Sequence, residues 1–410
     1  MRIRRRFAVI PGWMGKGPVR RLLDALAAGG VEARFVGGCV RDWIAGRTVG
    51  EIDLAVDRPP DVATRVLETA GIKVVPTGVR HGTVTAVVDG QPFELTTLRR
   101  DVETDGRRAV VAFTDDWRTD AERRDFTFNA LYAERDGTIH DYFDGRADLA
   151  AGRVRFIGDP DRRIAEDRLR VLRFFRFHAW YGRPPLDGEG FQACRRNAAT
   201  LRSLSGERVA KELLRTLVAP GAAAADALDA MLEAGVLDHW LPEYAGSARL
   251  RALAAREEAG KETADGVRRL AAILPAAADA TAIGKRLKLS TQQSLRLSVL
   301  LPPEPAIDVA AGPPAWRAAL YRLGSRLFID RLLLSIDAPG DWQAALDLAR
   351  RWTPPELPVG GRDALALGLA PGPQVGRLVE AVEGWWVAGD FAADRAACLA
   401  ELARLAKSAP

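Results

Sequence analysis

The feature that most constrains the fold is a change in hydrophobic pattern near residue 160. Between residues 20 and 140, segments with helical spacing alternate with short β-rich runs. Two such runs in 82–99 flank Asp89-Gly90, a dipeptide favoured in hairpin turns. Beyond residue 160 strand signals nearly vanish, and Ala, Leu and Arg recur at helical spacing. The sequence therefore predicts an α+β head with a small, mostly antiparallel sheet, followed by an all-α remainder.

Breaks in the helical pattern divide that remainder, and a chain of 410 residues is too long for one ordinary core. The breaks fall near 203–207, 241–247, 301–315 and 353–361. We expect a head over 1–140, a neck over 141–220, a helical body over 221–300 and a helical tail over 301–410.

Composition describes a globular protein without a membrane segment. No apolar run approaches the ~20 residues that cross a bilayer, and the basic segment 1–13 is typical of neither a signal peptide nor an anchor. Three scattered cysteines favour a reducing compartment, so we expect a cytoplasmic protein. The net charge of +5 permits an anionic partner but does not require one.

Two acids stand at alternate positions of the apolar run "EIDLAVD". In a strand, Glu51 and Asp53 share one face and repel each other unless a cation lies between them, and carboxylate oxygens suit Mg²⁺. Two ions held in this way serve phosphoryl transfer. We predict Glu51 and Asp53 as metal ligands, with Glu94 of "FELTT" as a third catalytic carboxylate. The alternative is a solvent-facing sheet edge.

A glycine pair precedes these acids in "FVGGCVRD". Glycines at a turn from strand to helix allow backbone amides to approach a phosphate closely, and an arginine adds a charged fork. We therefore predict Gly37, Gly38 and Arg41 as nucleotide-binding residues; an ordinary tight turn is the alternative.

Two further segments carry polar residues among core positions. In "EDRLRVLRFFRF" (166–177), every third residue is polar, which predicts a stripe on one helix: Asp167, Arg170, Arg173 and Arg176. A carboxylate and a guanidinium one turn apart can face a base edge, although such stripes also occur on solvated faces. In "RRDFTFNAL" (123–131), the polar candidates are Arg124, Asp125 and Asn129; Asp125 could also cap a helix.

Together these motifs resemble the class II tRNA nucleotidyltransferase/poly(A) polymerase family. Residues 35–57 resemble its first motif, and the resemblance continues in family order to about residue 217. The later motifs are the ribose-selecting segment 123–131, the hinge 158–164, the base-recognition helix 166–177 and the supporting motif 206–217. The family usually has aspartate as its first metal ligand, so Glu51 predicts retained metal binding with a shifted geometry.

The resemblance implies a palm-like nucleotidyltransferase head that adds C, C and A to the 3′ end of tRNA from CTP and ATP. It implies two Mg²⁺ ions and release of pyrophosphate. Asp167 and Arg170 would pair with the Watson–Crick edge of the nucleotide, and Arg173 and Arg176 would support them or reach phosphates. Arg124 and Asp125 would hold the ribose, and Asn129 would steady that motif.

Partners and alternatives follow from the same resemblance. The helical half would hold the acceptor–TΨC arm of tRNA, and no protein or membrane partner is indicated. A glycine-rich turn within 361–391 resembles the tail element of the family, although it could be an ordinary helical hairpin. The charged segment 100–117 predicts a mobile loop that switches C addition to A addition. The rival functions are a poly(A) polymerase, a CC-only or A-only enzyme, and a non-catalytic RNA-binding protein.

Overall fold

The computed structural model describes residues 10–15, 17–104, 109–301, 306–335 and 339–408. Most of the basic N-terminal segment considered above, residues 1–9, lies outside this range. The chain forms two compact units. The first runs to Ser247 and includes Ile283–Leu289, and the second comprises Ala248–Ala282 and the residues from Ser290 onward. The division into head, neck, body and tail stays a prediction.

The described strands all belong to the first unit. They are β1 (Ala33–Val36), β2 (Asp53–Val56), β3 (Lys73–Gly78), β4 (Thr83–Val88), β5 (Gln91–Thr97), β6 (Arg99–Thr104), β7 (Ala109–Phe113), β8 (Leu131–Ala133) and β9 (Ile139–Asp141). A seven-stranded sheet has the order β3-β4-β5-β2-β1-β8-β9. Strands β2 and β5 are parallel and the other neighbours are antiparallel, so the sheet is mixed. The prediction of a mostly antiparallel sheet is confirmed in that sense.

The turn between β4 and β5 explains how β5 reaches β2. Asp89 and Gly90 both have positive φ, 50° and 78°, which is the backbone of the two-residue hairpin turn predicted from the sequence. This hairpin returns the chain beside β2, where Asp53 lies opposite Glu94 and Val56 opposite Thr97. The turn therefore fixes which residues of the two parallel strands meet.

The prediction of a mobile loop at 100–117 is wrong for the described part of that segment. Strands β6 and β7 pair as a separate antiparallel hairpin, and a helix begins at Trp117. Residues 105–108 lie outside the described range. The two strands of an isolated hairpin satisfy their backbone hydrogen bonds with each other and need no buried apolar face. The sequence of this charged segment therefore lacks the alternation of apolar and polar residues by which strands are predicted.

Helices form nearly all of the regular structure described after Asp141. In chain order they are α1 (Gly17–Ala28), α2 (Gly38–Ile44), α3 (Pro60–Thr69), α4 (Trp117–Glu122), α5 (Gly145–Ala151), α6 (Pro160–Glu166), α7 (Leu169–Tyr181), α8 (Gly188–Asn197), α9 (Gly206–Leu217), α10 (Ala223–Glu233), α11 (Ala248–Ala259), α12 (Gly266–Ala272), α13 (Ala280–Leu287), α14 (Thr291–Leu300), α15 (Pro313–Leu334), α16 (Trp342–Arg351), α17 (Gly361–Ala366), α18 (Pro373–Ala388) and α19 (Arg395–Ser408). The predicted helical remainder is thus confirmed; among the described residues after Asp141, the one β interaction is a bridge from Phe156 to Phe126.

An aromatic cluster attaches α7 to the head. Phe156 stacks on Phe174 of α7 with ring centroids 5.7 Å apart, and Phe126 lies 4.7 Å from Phe156. Phe128 meets Phe177 of α7 edge-on at 5.6 Å. All five rings are buried, and each contributes on the order of 2 kcal/mol by leaving water. This packing places the polar residues of segment 123–131 beside those of α7.

The second unit has two buried clusters of its own. One joins α15 and α16 around Trp316, Phe328 and Leu346. The other joins α17, α18 and α19 around Trp386 and Leu402, and the predicted glycine-rich turn connects α17 to α18. Within the described residues, no helix combines the length and apolar character that crossing a membrane requires.

Candidate active site

A cavity of about 530 Å³ in the first unit brings together residues from distant parts of the chain. The residues predicted for the site that line it are Gly37, Gly38, Arg41, Asp53, Glu94, Arg124, Asp125, Asn129, Asp167, Arg170, Arg173 and Arg176. Glu51 is the predicted site residue that is not in this lining. Among the described lining residues, eight arginines outnumber four carboxylates, so the cavity attracts anions.

Asp53 and Glu94 form the acidic part of the cavity. They are directly opposite each other on β2 and β5. Neither carboxylate forms a hydrogen bond or ion pair with a described side chain. Burial, the charge of Glu94 and the charge of Glu51 raise the pKa of Asp53 to about 6. The charge of Arg124 only partly opposes this rise, and two crowded carboxylates offer oxygen donors of the kind that suit a divalent metal ion.

Glu51 does not lie on the strand predicted for it. β2 begins at Asp53, and Glu51 is an exposed residue before it. The prediction that Glu51 and Asp53 share one strand face is therefore wrong. The pairing of β2 with β1 runs from Val56 back only to Leu54, and its pairing with β5 ends at Asp53, so residue 51 has no neighbouring strand to hold it. Its charge still acts on Asp53.

The glycine turn and Arg41 form the adjoining wall. Gly37 has φ 68° and ψ −119°, a conformation that side chains disfavour, and an added Cβ would lie 3.4 Å from Nη1 of Arg124. Arg41 is buried, donates from Nη1 to Oδ1 of Asn129 at 2.7 Å, and lies 4.3 Å from the ring centroid of Tyr181. Its guanidinium is thus held in place before any ligand binds.

Asp125 links that wall to α7. Its Oδ1 accepts from Nδ2 of Asn129 at 2.9 Å, and its Oδ2 accepts from Nε of Arg173 at 2.7 Å. Burial alone would raise the pKa of Asp125, but the charge of Arg173 and the Asn129 hydrogen bond lower it to about 2. Asp125 is therefore ionised at neutral pH. The segment that it was considered to cap forms only a short 3₁₀ turn, Thr127–Asn129.

The predicted helix 166–177 is broken at its start. Glu166 ends α6, Asp167 has the extended φ/ψ of −150° and 107°, and α7 begins at Leu169. The prediction that Asp167 shares a helical stripe with Arg170 is wrong. An aspartate side chain competes for backbone amides at helix starts, and here it accepts from the Leu169 amide at 3.1 Å.

Asp167 and Arg170, which are expected to recognise the base, both line the cavity. Each pairs with a protein side chain rather than with the other. Asp167 accepts from Nη2 of Arg208 at 3.0 and 2.8 Å. Arg170 donates to Glu166 at 2.7 Å and to the carbonyl of Arg123 at 2.9 Å. Asp167 and Arg170 are therefore each held by a different partner.

The remaining arginines of α7 are also anchored. Arg173 pairs with Asp125, and Nε of Arg176 lies 2.5 Å from Oε2 of Glu212 on α9. Arg170, Arg173 and Arg176 all line the cavity, so this face of α7 is not the solvated surface considered as an alternative.

Several residues of the site were missed from the sequence. The cavity is also lined by Thr96, Arg99, Arg123, Phe177 and Arg215, and Asp120, Tyr132, Arg208 and Glu212 hold lining residues in place. Two signals were available. Asp120 precedes Arg123 and Arg124 by three and four residues, and Arg208 and Glu212 are four apart on α9, both spacings that place residues on one helix face.

Comparison with known families agrees with this geometry. Residues 33–155 match the family described as Poly A polymerase head domain. Residues 186–247 match the family described as "Probable RNA and SrmB- binding site of polymerase A".

Individual relatives match over most of the chain. CCA tRNA nucleotidyltransferase 1, mitochondrial, of Danio rerio is 34% identical over 363 residues, covering 87% of this chain and 83% of the relative. The CCA-adding enzyme of Levilactobacillus brevis is 32% identical over 395 residues, covering 93% and 96%. The structure of the Bacillus stearothermophilus CCA-adding enzyme in complex with CTP has a TM-score of 0.74 at 27% identity, covering 96% and 98%. The chain therefore belongs to the class II tRNA nucleotidyltransferase/poly(A) polymerase family.

Proposed function

We propose that this protein adds C, C and A to the 3′ end of tRNA without a nucleic-acid template, using CTP and ATP and releasing pyrophosphate. The observation that carries the proposal is the cavity in which an acid pair, a glycine turn with a fixed arginine, and the Asp167–Arg170 region meet. The relatives named CCA tRNA nucleotidyltransferase and CCA-adding enzyme, which match this chain over 83% and 96% of their own length, support this choice.

Each group in the cavity has a role in that reaction. Gly37, Gly38 and Arg41 bind the triphosphate, and Arg124 and Asp125 hold the ribose. Asp167 and Arg170 present an acceptor and donors to the base edge, which replaces a template. The 3′-hydroxyl oxygen of tRNA then bonds to the α-phosphorus while the bond to the bridging oxygen breaks, and the arginines of the cavity stabilise the developing negative charge.

The acid pair is the proposed site of Mg²⁺. Asp53 and Glu94 fit a divalent cation because their carboxylates repel each other and the charge of Arg124 only partly compensates them, and Glu51 contributes a third charge that acts on Asp53. The metal would lower the pKa of the attacking hydroxyl and neutralise phosphate charge. Asp53 and Glu51 are its proposed ligands, and Glu94 completes the acidic group.

The helical part of the chain is the proposed RNA-binding region. The match of residues 186–247 to an RNA-binding family supports contact that begins in α8 to α10. We propose that the tail, 301–410, reaches the acceptor–TΨC arm, with recognition by shape and phosphates as expected for duplex RNA. We also propose a cytoplasmic location.

The rival function is poly(A) synthesis, which the match of 33–155 to a poly(A) polymerase head favours. Incubation with tRNA lacking its 3′ end, Mg²⁺, and CTP and ATP singly and together separates the two at single-nucleotide resolution. Three added residues ending in CCA support the proposal. An open-ended ladder of A residues supports poly(A) synthesis, and addition of CC or A alone supports an enzyme limited to that step. A tRNA that is not extended at all would contradict the proposal that the protein is catalytic.

A further inference from the structure

A buried carboxylate outside the cavity binds two of the arginines that line it. Asp120 of α4 is 1% exposed and does not line the cavity itself. Its Oδ1 accepts from Nε and Nη2 of Arg123 at 2.9 and 2.8 Å, and its Oδ2 accepts from Nη2 of Arg124 at 3.0 Å. Both guanidiniums are thereby turned to defined positions along one wall.

Two further donors complete the environment of Asp120. The hydroxyl of Tyr132 donates to Oδ2 at 2.6 Å and accepts from Nε of Arg124 at 3.2 Å. The backbone amide of Arg99, the first residue of β6, donates to Oδ1 at 3.2 Å. Every lone pair that Asp120 can offer in its plane is used, so the carboxylate has little freedom to move.

The arrangement is also electrostatically balanced. Arg123 and Arg124 are adjacent in sequence and would repel each other on one wall without an anion behind them. Burial alone would raise the pKa of Asp120, but the charges of Arg124 and Arg123 outweigh it and hold the pKa well below its ordinary value. Asp120 is therefore a permanent charge that neutralises part of the arginine pair.

The same network reaches the residue proposed to read the base. The carbonyl of Arg123 accepts from Nη2 of Arg170 at 2.9 Å. A shift of the Arg123 backbone would therefore move the Arg170 guanidinium as well. Arg124, in turn, lies beside Gly37, where an added Cβ would be 3.4 Å from its Nη1.

We propose that Asp120 is a positioning residue that aims Arg123 and Arg124 at the sugar and phosphates of the incoming nucleotide, and that it thereby sets both nucleotide affinity and the preference for ribose over deoxyribose. This inference rests on the proposed function, because it assumes that the cavity binds a nucleoside triphosphate. It assigns a role to a residue that does not touch the substrate.

The experiment compares binding of CTP and dCTP to the purified full-length protein and to the Asp120→Asn variant by calorimetry, without tRNA. The asparagine keeps the shape but loses the charge and one acceptor position. We expect the dissociation constant for CTP to rise about tenfold, as for loss of charge-assisted hydrogen bonds that orient a binding group, and the preference for CTP over dCTP to fall. Unchanged affinity and unchanged preference would overturn the proposal, and so would tighter binding.

The Asp116→Asn variant is the matched control. Asp116 caps the same helix, accepting from the amides of Arg118 and Thr119 at 3.1 and 3.3 Å, but forms no bond to the arginines of the cavity. Because asparagine also caps helices well, this variant tests whether loss of one negative charge at α4 is sufficient, and we expect wild-type affinity and sugar preference. An equal loss in both variants would reduce Asp120 to a structural role and overturn the proposal.

A second variant keeps the proposal testable if Asp120→Asn does not fold. Tyr132→Phe removes one donor to Asp120 and one acceptor for Arg124 while keeping the buried ring, so it should produce a smaller shift in the same two measurements. A Tyr132→Phe protein with wild-type affinity and sugar preference contradicts the inference even if Asp120→Asn does not fold. A wild-type protein that binds CTP but leaves tRNA unextended contradicts the proposed function alone.

Discussion

Asp53 and Glu94 lie opposite each other at the first paired position of the parallel strands β2 and β5. Burial of the Asp53 carboxyl, together with the charges of Glu94 and Glu51, raises its pKa to about 6 from the ordinary 3.8. A carboxyl whose pKa is raised by folding stabilises the protein when protonated, so its contribution is lost as the pH rises through 6. The site is thus built at a cost to stability that a bound metal ion would offset.

The Asp53→Asn substitution should stabilise the metal-free protein at pH 7.5. It removes a charge that costs about 3 kcal/mol there, since the pKa rises from 3.8 to about 6 and each pKa unit corresponds to 1.36 kcal/mol, and the gain should largely disappear by pH 4. Urea unfolding at both pH values measures this. Mg²⁺ should raise the stability of the wild type but not of the variant, and nucleotide addition should be lost. Glu68→Gln, at an exposed position of α3, is the control; a wild type as stable as Asp53→Asn at pH 7.5 would contradict the argument.

Substitution of Asp167 or Arg170 should change which nucleotide is added more than how fast. Both line the cavity, yet Asp167 is paired with Arg208 and Arg170 with Glu166, so neither depends on the other for its position. For Asp167→Ala and Arg170→Ala we expect the ratio of kcat/KM for CTP and ATP to change by about tenfold or more, as for loss of hydrogen bonds to a base edge.

Primer extension with each nucleotide alone measures that ratio. Arg162→Ala is the matched control, because the Arg162 side chain is 76% exposed on α6 and its ion pair with Glu166 is weak, with Nε 3.6 Å from Oε1. Loss of activity with unchanged nucleotide preference in Asp167→Ala would show that this residue does not read the base.

Replacement of residues 101–111 by a short Gly-Ser linker should leave C addition intact and block A addition. These residues include most of the β6–β7 hairpin, which begins at Arg99 beside the Asp120 network. We expect the hairpin to adjust the base-reading region between the two steps. Extension of tRNA ending in CC, with ATP alone, measures the second step. A Gly-Ser insertion between Ala276 and Ala277, in the exposed connection from α12 to α13, is the control. A addition by the hairpin variant would refute the hypothesis.

In the second unit, Asp330→Ala should destabilise the protein strongly. Asp330 is 1% exposed and accepts from Nη1 of Arg268 at 3.0 Å and from Nε and Nη2 of Arg296 at 2.8 Å each. Loss of one partner leaves buried charge uncompensated, at about 3 kcal/mol or more. Chemical denaturation measures the change. Asp347→Ala, whose pairs with arginines on α16 are exposed, should cost less than about 1 kcal/mol; equal effects would contradict the assignment.

The sequence by itself determined the features that depend on local conformation. The change from mixed to helical spacing predicted the head and its helical remainder, and Asp89-Gly90 predicted the hairpin whose positive φ values are observed. Gly37 was recognisable because its turn excludes a side chain. The order of the motifs was sufficient to identify the family, and twelve of the thirteen predicted site residues, two of them glycines, line one cavity. Hydrophobic spacing, turn conformation and short motifs depend on residues close in sequence, so they can be recognised without the tertiary structure.

Only the tertiary structure decided which partners those residues have. A strand ends where its neighbours end, which left Glu51 outside β2, and the register of the parallel pair placed Glu94 opposite Asp53. The helix break at Asp167 coincides with a bond to Arg208, which is distant in sequence. The hairpin β6–β7 and the five donors around Asp120 likewise come from separate segments. Apart from pairs three or four residues apart, such as Asp120 with Arg123 and Arg124, hydrogen-bond partners and burial are set by packing between remote parts of the chain, which no local pattern specifies.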